Sequence, residues 1–184
     1  YALHDTATEV RRLRQQGVSV LGVFVGEETE LVAEQKIFGK DFAYIRDAKD
    51  VMKLVNNLIQ NTTPKNAQQS DPFWERAEVA LDTALILYLL YEAPPNEQNL
   101  ETVLYMLENG GASEEDEAYR SPLDLLFEAL EDEEPDHIAV REYHIFQQAA
   151  GKTARSILIT AAVRLSAFII PEIRSITSHD EMEL

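Results

Sequence analysis

The segment between Asp71-Pro72 and Pro94-Pro95 constrains the fold of this chain more than any other. An aspartate followed by proline suits a helix start, because the carboxylate accepts a bond from a free backbone amide and proline presets the backbone torsion. We predict a helix that runs to about Tyr91 and stops before the two prolines. Its apolar residues lie at helical spacing, widened by three neighbours, and comprise Ala77, Ala80, Leu81, Ala84, Leu85, Ile86, Leu87, Tyr88, Leu89 and Leu90. A helix that is apolar on most sides must be surrounded by other elements, so it predicts the centre of a helical bundle.

The residues after this helix contain further helical segments and no convincing strand. We predict a helix capped by Asn96 and ending at Gly110-Gly111, a helix starting at Ser121-Pro122, a long helix over roughly Asp136 to Phe168 that bends near Gly151, and a short last helix from Pro171. The fold class predicted from these segments is mainly α, with a bundle of four to five helices over residues 71–184.

The first third of the chain alternates helical and strand patterns. Helices are predicted over Thr6–Gln16, Glu28–Phe38 and Asp47–Asn61, and strands over Val18–Val25 and Phe42–Ile45. Two strands are too few for a stable parallel sheet, so residues 1–61 predict a partial α/β segment. Residues 62–70 are polar and contain a proline, which is typical of a linker.

The charge of the chain is strongly negative and unevenly placed. Its 184 residues hold 33 acids and 16 bases, a formal net charge of -17. Residues 42–184 hold 26 acids and 11 bases, which gives -15. Direct nucleic-acid binding and contact with an anionic membrane are therefore not expected, because both need clustered lysine and arginine. A basic region of a partner protein remains possible.

Two acidic runs are candidate partner-binding residues. They are Glu114, Glu115, Asp116 and Glu117, and Glu131, Asp132, Glu133 and Glu134. A solvated surface is the commoner explanation of such runs on composition alone. A docking face for a basic protein is the functional alternative.

No residue pattern indicates catalysis, a cofactor or a metal. Gly151-Lys152-Thr153 ends like a phosphate-binding loop, but Phe146 stands where the first glycine is required and the preceding residues are helical rather than strand-like. We expect these residues to lie within a helix, where their amides are already bonded, and to serve packing. His137 and His144 are seven residues apart, which is poor spacing for a zinc site, and cysteine is absent. We therefore expect no enzymatic activity and no cofactor.

Several strings occur in an order that resembles a known family. They are the Asp71-Pro72-Phe73-Trp74-Glu75 string, Ala84 to Leu89, Glu97-Gln98-Asn99, Ser121-Pro122-Leu123-Asp124, Ala149 to Leu158 and Asp180 to Leu184. Over about residues 42–184 the chain resembles the all-alpha domain of TraG-type conjugative coupling proteins of type IV secretion, in the form found in Gram-positive bacteria. The family-motif residues are expected to be structural, and they are Asp71, Pro72, Phe73, Trp74, Gly151, Lys152 and Thr153. Phe73 and Trp74 are expected to pack between helix and linker, and an exposed recognition aromatic is the alternative for Trp74.

The resemblance implies a role in conjugation, the transfer of DNA between bacteria. Such a domain is an insertion in a membrane-anchored hexameric ATPase, faces the cytoplasm and recognises the relaxase or an accessory protein. The nucleotide-binding motifs of the ATPase are absent from this chain, which starts at Tyr1 and is expected to be a soluble piece of a longer protein. The implied function is thus substrate recognition without the motor, with a relaxase or accessory protein as partner.

Residues 1–46 carry a second resemblance. The strings Tyr1 to Thr6, Gly17 to Phe24 and Ile37 to Ile45 are similar to the C-terminal part of a von Willebrand factor A-like domain. The metal loop of such domains is missing here, so no metal site is expected. The alternative function is accordingly a protein-interaction domain of that type without its metal.

Overall fold

The computed structural model describes residues 2–17, 20, 22–25, 31–39, 42–63, 72–111, 119–149 and 152–166. The described chain is mainly α, as the sequence predicts. Its helices are α1 (Ala2–Gln15), α2 (Leu31–Phe38), α3 (Ala48–Thr62), α4 (Pro72–Glu92), α5 (Leu100–Glu108), α6 (Pro122–Glu133), α7 (Ile138–Gln147) and α8 (Lys152–Ser166). Its strands are β1 (Gly22–Val25) and β2 (Phe42–Ile45). The chain divides within α3 into two compact units, one ending at Leu54 and one beginning at Val55.

The first unit is a small α/β arrangement. Strands β1 and β2 pair in parallel, with Gly22 opposite Phe42 and Val25 opposite Ile45. Helix α2 connects them and packs against α1 and both strands, as a parallel pair requires a crossover. Val10 and Leu13 of α1 are buried on its inner face, at a spacing of three residues that places both on one side of a helix.

The start of α3 is fixed by charged side chains. The Asp47 carboxylate accepts bonds from the amides of Lys49 and Asp50 at 2.9 and 3.0 Å. The carboxylate of Asp50 in turn pairs with Arg46 at 3.0 Å and with Lys53 at 2.9 Å. The hydrogen bond from Arg46, then that from Lys53, lowers the pKa of Asp50 to about 2. Asp47 therefore caps α3, at the start of the helix predicted over Asp47–Asn61.

Helix α4 is the centre of the second unit. It packs against α5, α7 and α8. Its buried residues lie on nearly all sides and comprise Ala77, Glu78, Ala80, Leu81, Asp82, Thr83, Ala84, Leu85, Leu87 and Leu89. This confirms the prediction of a central helix that starts at Pro72 and ends before Pro94-Pro95. Burying several aliphatic side chains at roughly 1.5–3 kcal/mol each makes this helix the main contributor to the core.

Aromatic rings fill the space between α4, α6 and α7. Phe127 of α6 stacks on Tyr143 of α7, with ring centroids 4.1 Å apart and planes inclined by 8°. Tyr88 of α4 meets the same Phe127 ring edge-on at 5.6 Å. Offset stacking and edge contacts are the favourable geometries for aromatic pairs. These three rings join the central helix to the two helices beside it.

The connection from α4 to α5 differs from the prediction. Pro95–Glu97 form a 3₁₀ turn, and Asn99 rather than Asn96 caps α5 by accepting a bond from the Thr102 amide at 2.9 Å. The side-chain amide of Gln98 donates to the Ala93 carbonyl at 3.0 Å and so satisfies a free carbonyl at the end of α4. The extra turn moves the helix start by three residues, and so the predicted Asn96 cap is wrong.

The Ser121-Pro122-Leu123-Asp124 string builds the start of α6. The Ser121 hydroxyl accepts from the Asp124 amide at 3.0 Å, and the Asp124 carboxylate accepts from the Ser121 amide at 2.8 Å. This reciprocal pair is a capping box, and it confirms the predicted helix start at Ser121-Pro122. The same carboxylate accepts from the Tyr143 hydroxyl at 2.9 Å and from the Gln147 amide at 3.0 Å, both on α7.

The balance of these interactions is visible in the pKa of Asp124. Burial alone would raise it, but the hydrogen bonds from Ser121, Gln147 and Tyr143 outweigh burial and leave the pKa below its ordinary value. For Tyr143, burial and then the Asp124 charge raise the pKa of the phenol. Both groups thus stay in the state that forms the bond at neutral pH, a charged acceptor and a neutral donor.

The glycine pair after α5 is needed for close packing. A Cβ atom at Gly110 would lie 2.9 Å from side-chain carbons of both Leu123 and Leu158. Gly111 has a φ of +53°, in the left-handed region that other residues adopt at a cost. The pair therefore ends the helix and lets α6 and α8 approach its last turn.

The long helix predicted from Asp136 to Phe168 is two helices. Helix α7 starts at the cap His137 and ends at Gln147, and α8 starts at Lys152. Residues 148 and 149 are not helical, so the prediction of one continuous helix is wrong. The predicted bend at Gly151 lies outside the described residues. The break lets α7 pack on α4 and α6 while α8 packs on α4 and α5. The short helix predicted from Pro171 lies outside the described residues.

The predicted domain division stays a prediction. Of the expected linker, only residues 62 and 63 are described, and residue 62 ends α3. None of the described helices is long and apolar enough to cross a membrane.

Replacing Asp124 tests the joint between α6 and α7. Asp124→Ala removes the capping box and leaves the buried Tyr143 hydroxyl without an acceptor. We expect a loss of about 2–3 kcal/mol in the free energy of unfolding, measured by urea denaturation. Gln147→Ala removes one exposed bond to the same carboxylate and is expected to cost less than about 1 kcal/mol. Equal losses in the two variants would contradict the role assigned to Asp124.

Candidate functional site

Three carboxylates from different elements of the second unit act on one tyrosine, Tyr88. Glu92 ends α4, Glu97 lies in the 3₁₀ turn, and Glu133 ends α6. Burial raises the pKa of the Tyr88 phenol, and the charges of Glu92, Glu97 and Glu133 raise it further. The three acids therefore lie close enough to one hydroxyl to act on it together. We call Glu92, Glu97 and Glu133 the acidic end.

His137 is fixed beside the acidic end. Its Nδ1 accepts a bond from the Ala139 amide at 3.2 Å, so the ring proton belongs to Nε2. Nε2 lies 3.3 Å from a carboxylate oxygen of Glu92, and the ring meets Tyr91 edge-on at 5.7 Å. The histidine therefore serves as a helix cap and orients Glu92.

The second histidine lies in a separate pair. Nε2 of His144 is 3.2 Å from the carboxylate of Glu131, whereas His137 faces Glu92. Among the described residues, no group of three or more histidine, aspartate or glutamate side chains is arranged to hold a metal ion.

The predicted run from Glu131 to Glu134 closes α6. Asp132, Glu133 and Glu134 are exposed, and no basic residue lies in the last turn of the helix. Within the described part of the chain, no cation pairs with these three side chains. Acids at a helix C-terminus oppose its dipole, so their charge is neither paired nor locally favourable. The other predicted run, Glu114 to Glu117, lies outside the described residues.

Sequence reasoning named Glu133 but missed Glu92 and Glu97. Neither residue belongs to a run of acids, and each stands next to a turn rich in proline. Their common effect on the Tyr88 phenol depends on the fold, since Glu133 lies on α6 and Tyr88 on α4. No signal in the local sequence would have found this grouping.

A buried ion pair lies deeper in the same unit. Arg164 of α8 donates from Nε and Nη2 to the two carboxylate oxygens of Glu78, at 2.8 and 3.3 Å. Its Nη1 donates to the Ile59 carbonyl at 3.1 Å and also to the Thr62 hydroxyl, both on α3. One guanidinium therefore joins three helices. Its planar fork of donors pairs with both carboxylate oxygens of Glu78 and still leaves Nη1 free to bond to α3.

Asp82 lies one turn after Glu78 on α4 and has no such partner. It is 1% exposed, and within the described residues neither of its carboxylate oxygens has a hydrogen-bond donor. Burial, and then the charge of Glu78, raises the pKa of Asp82 to about 8, against the opposing effect of Arg164. Asp82 is therefore largely protonated at neutral pH, which spares the core an unpaired charge.

The family-motif residues occupy helix starts. Pro72, Phe73 and Trp74 form the first turn of α4, and the two aromatic side chains are 42% and 36% exposed. Asp71 and residues 64–70 of the linker, against which the aromatic residues are expected to pack, lie outside the described residues, so that packing stays a prediction.

The second family motif is placed differently from the expectation. Lys152 and Thr153 lie in a helix, as expected, but they occupy the first turn of α8 and not the middle of a long helix. The expectation that their amides are bonded within a helix is therefore wrong, because the first amides of a helix have no partner inside it. Gly151 lies outside the described residues. The element before them is helix α7, as predicted, and not the strand that a phosphate-binding loop follows.

Comparison with known proteins gives one match. A family model described as Type IV secretory system Conjugative DNA transfer matches residues 9–184. The match includes both strands and all of the second unit that the structure describes. No curated protein and no solved structure matches the chain.

Asp82→Asn tests the buried carboxyl. The unfolded chain loses the Asp82 proton near pH 4, whereas the native state keeps it up to about pH 8. The native state thus binds more protons in this range, and the contribution of Asp82 to stability falls as pH rises, by up to roughly 1.4 kcal/mol per pH unit. We expect Asp82→Asn to gain stability relative to wild type from pH 5 to pH 8 in urea denaturation. Asp132→Asn, an exposed control, is expected to change stability by less than about 0.5 kcal/mol at either pH. If the stability of Asp82→Asn and that of wild type changed with pH in parallel, the protonated state assigned to Asp82 would be contradicted.

Proposed function

We propose that this chain is a substrate-recognition module. The chain belongs to the family of conjugative DNA transfer in the type IV secretory system. In this proposal it docks the relaxase or an accessory protein of a conjugative element of Gram-positive bacteria. The module works on the cytoplasmic side of a parent coupling protein that is anchored to the cell membrane. Its part in conjugation is to select the cargo and not to drive transfer.

The observation that supports docking is the unpaired charge around the end of α6. Asp132, Glu133 and Glu134 are exposed there, and within the described residues no cation pairs with them. The charges of Glu92 and Glu97 act with that of Glu133 on the Tyr88 phenol. A surface of one sign attracts a partner of the opposite sign and speeds the encounter. The formal net charge of -17 makes a basic protein region the complementary partner and DNA itself a poor one.

The absence of a motor is part of the same proposal. A phosphate-binding loop places backbone amides between a strand and a helix. Here Lys152 follows helix α7, and Phe146 occupies the position of the first glycine. These observations support a module that depends on nucleotide hydrolysis elsewhere in the parent protein.

A second candidate concerns residues 1–46 alone. The parallel β1–β2 pair with α2 between them favours an interaction domain similar to the C-terminal part of a von Willebrand factor A-like domain. In that case this segment adds a second protein-binding surface without a metal.

Neutralising the end of α6 tests the docking surface. The triple variant Asp132→Asn, Glu133→Gln, Glu134→Gln removes three exposed charges, each worth about 0.3–0.5 kcal/mol in a surface pair. We expect its affinity for the relaxase encoded by the same element to fall about tenfold at about 0.1 M salt, measured by calorimetry. The difference should vanish near 1 M salt, where screening is nearly complete.

The controls separate binding from folding and from net charge. Removing acids from a helix C-terminus relieves an unfavourable dipole interaction, so the triple variant should unfold no earlier than wild type. Glu108→Gln, on α5, is expected to leave affinity within about twofold. The set Glu114→Gln, Glu115→Gln, Asp116→Asn, Glu117→Gln tests the other acidic run separately. Unchanged affinity in the triple variant at low salt would exclude the α6 surface.

A measurement of nucleotide binding distinguishes a recognition module from an ATPase motor. We expect no saturable binding of ATP with magnesium below about 1 mM by calorimetry, and no difference between wild type and Lys152→Ala. A phosphate-binding loop needs a strand before it and a first glycine, and here helix α7 and Phe146 occupy those positions. Tight ATP binding that Lys152→Ala abolishes would contradict this expectation.

A further inference from the structure

A cleft of about 350 Å³ opens between α3, α4 and α7, entirely within the unit that begins at Val55. Val79 and Ala80 of α4 supply apolar lining, together with Ile145 of α7, which is 38% exposed. This volume is at the lower end of the range for ligand pockets. It suits one or two side chains of a peptide better than a cofactor.

The charged residues of the cleft come from two of its walls. Glu75 and Arg76 lie on α4, and Glu142 lies on α7. Glu142 is half-buried, and burial raises the pKa of its carboxyl, an effect that the charge of Arg141 only partly offsets. Within the described residues, no hydrogen bond or ion pair reaches the side chains of Glu75, Arg76 or Glu142.

We infer that this cleft receives a lysine or arginine side chain from a segment of the partner protein. Two carboxylates face one guanidinium among the lining residues, so the excess charge is negative. A half-buried carboxylate without a donor gains more from an incoming cation than an exposed one, because less of that interaction is screened by water. The apolar lining accommodates the aliphatic stem of the same side chain.

The inference rests on the proposed function and gives it a defined contact. The exposed acids at the end of α6 attract a basic partner over distance and are screened by salt. The cleft instead selects a side chain by shape and by a partly desolvated charge. Arg76 then remains available to donate to the carbonyl oxygens of the bound segment.

Matched charge changes test this inference on the 184-residue chain. We expect Glu142→Gln to weaken binding of the relaxase of the same element about tenfold, and Glu108→Gln, an identical change on α5, to weaken it less than about twofold. Glu75→Lys, at an exposed position, places a cation at the cleft and should weaken binding more than Glu108→Lys. Circular dichroism should show that all four variants keep the wild-type helix content.

Photo-crosslinking locates the contact independently of affinity. With p-benzoyl-phenylalanine in place of Ile145, irradiation should join the chain to a relaxase peptide with a lysine or arginine within a few residues of the crosslink. The same replacement at Ile159, which is exposed on α8, should give no such product. A relaxase that binds wild type but is insensitive to Glu142→Gln and Glu75→Lys, or that crosslinks equally at Ile159, would overturn the cleft and leave the proposed function standing. A wild-type chain that binds no relaxosome protein would overturn both.

Discussion

The burial of helix α4 is the constraint on which the second unit depends. Its side chains are buried on nearly all sides, so α5, α7 and α8 must surround it to remove that surface from water. The aromatic group of Tyr88, Phe127 and Tyr143 extends the same burial to α6. The central helix also carries two buried carboxyl groups, and only one of them has hydrogen-bond donors within the described residues. Glu78 has a full partner in Arg164, while Asp82 keeps its proton.

The strings that carry the family resemblance have mainly structural roles where the structure describes them. Gln98 and Asn99 close one helix and open the next. Ser121 and Asp124 form a capping box whose carboxylate also bonds to α7. Helix ends are where backbone groups lack partners, so residue types there are tightly constrained by the fold. The family resemblance therefore reports the helical architecture. The exposed side chains between the helix ends are less constrained by the fold, and they can determine which partner binds.

The structure shows where several of the acidic side chains of the chain lie. A net charge of -17 excludes classes of partner but selects no surface. The charges of Glu92, Glu97 and Glu133 act on the same phenol, that of Tyr88, and Glu75 and Glu142 line one cleft. In the proposed docking, the first group attracts a basic partner protein, and the second group selects a lysine or arginine side chain of that partner. Both lie in the unit beginning at Val55.

The sequence by itself determined the elements whose signals are local. Proline positions and the apolar pattern of residues 72–92 fixed the bounds of α4, and Ser121 fixed the start of α6, because capping and backbone torsion act within a few residues. The tertiary structure decided what depends on distant partners. It moved the cap of α5 to Asn99 and broke the last long helix between α7 and α8. It also brought Arg164 to Glu78 across 86 residues, because burial and charge pairing act through space and leave no period in the sequence.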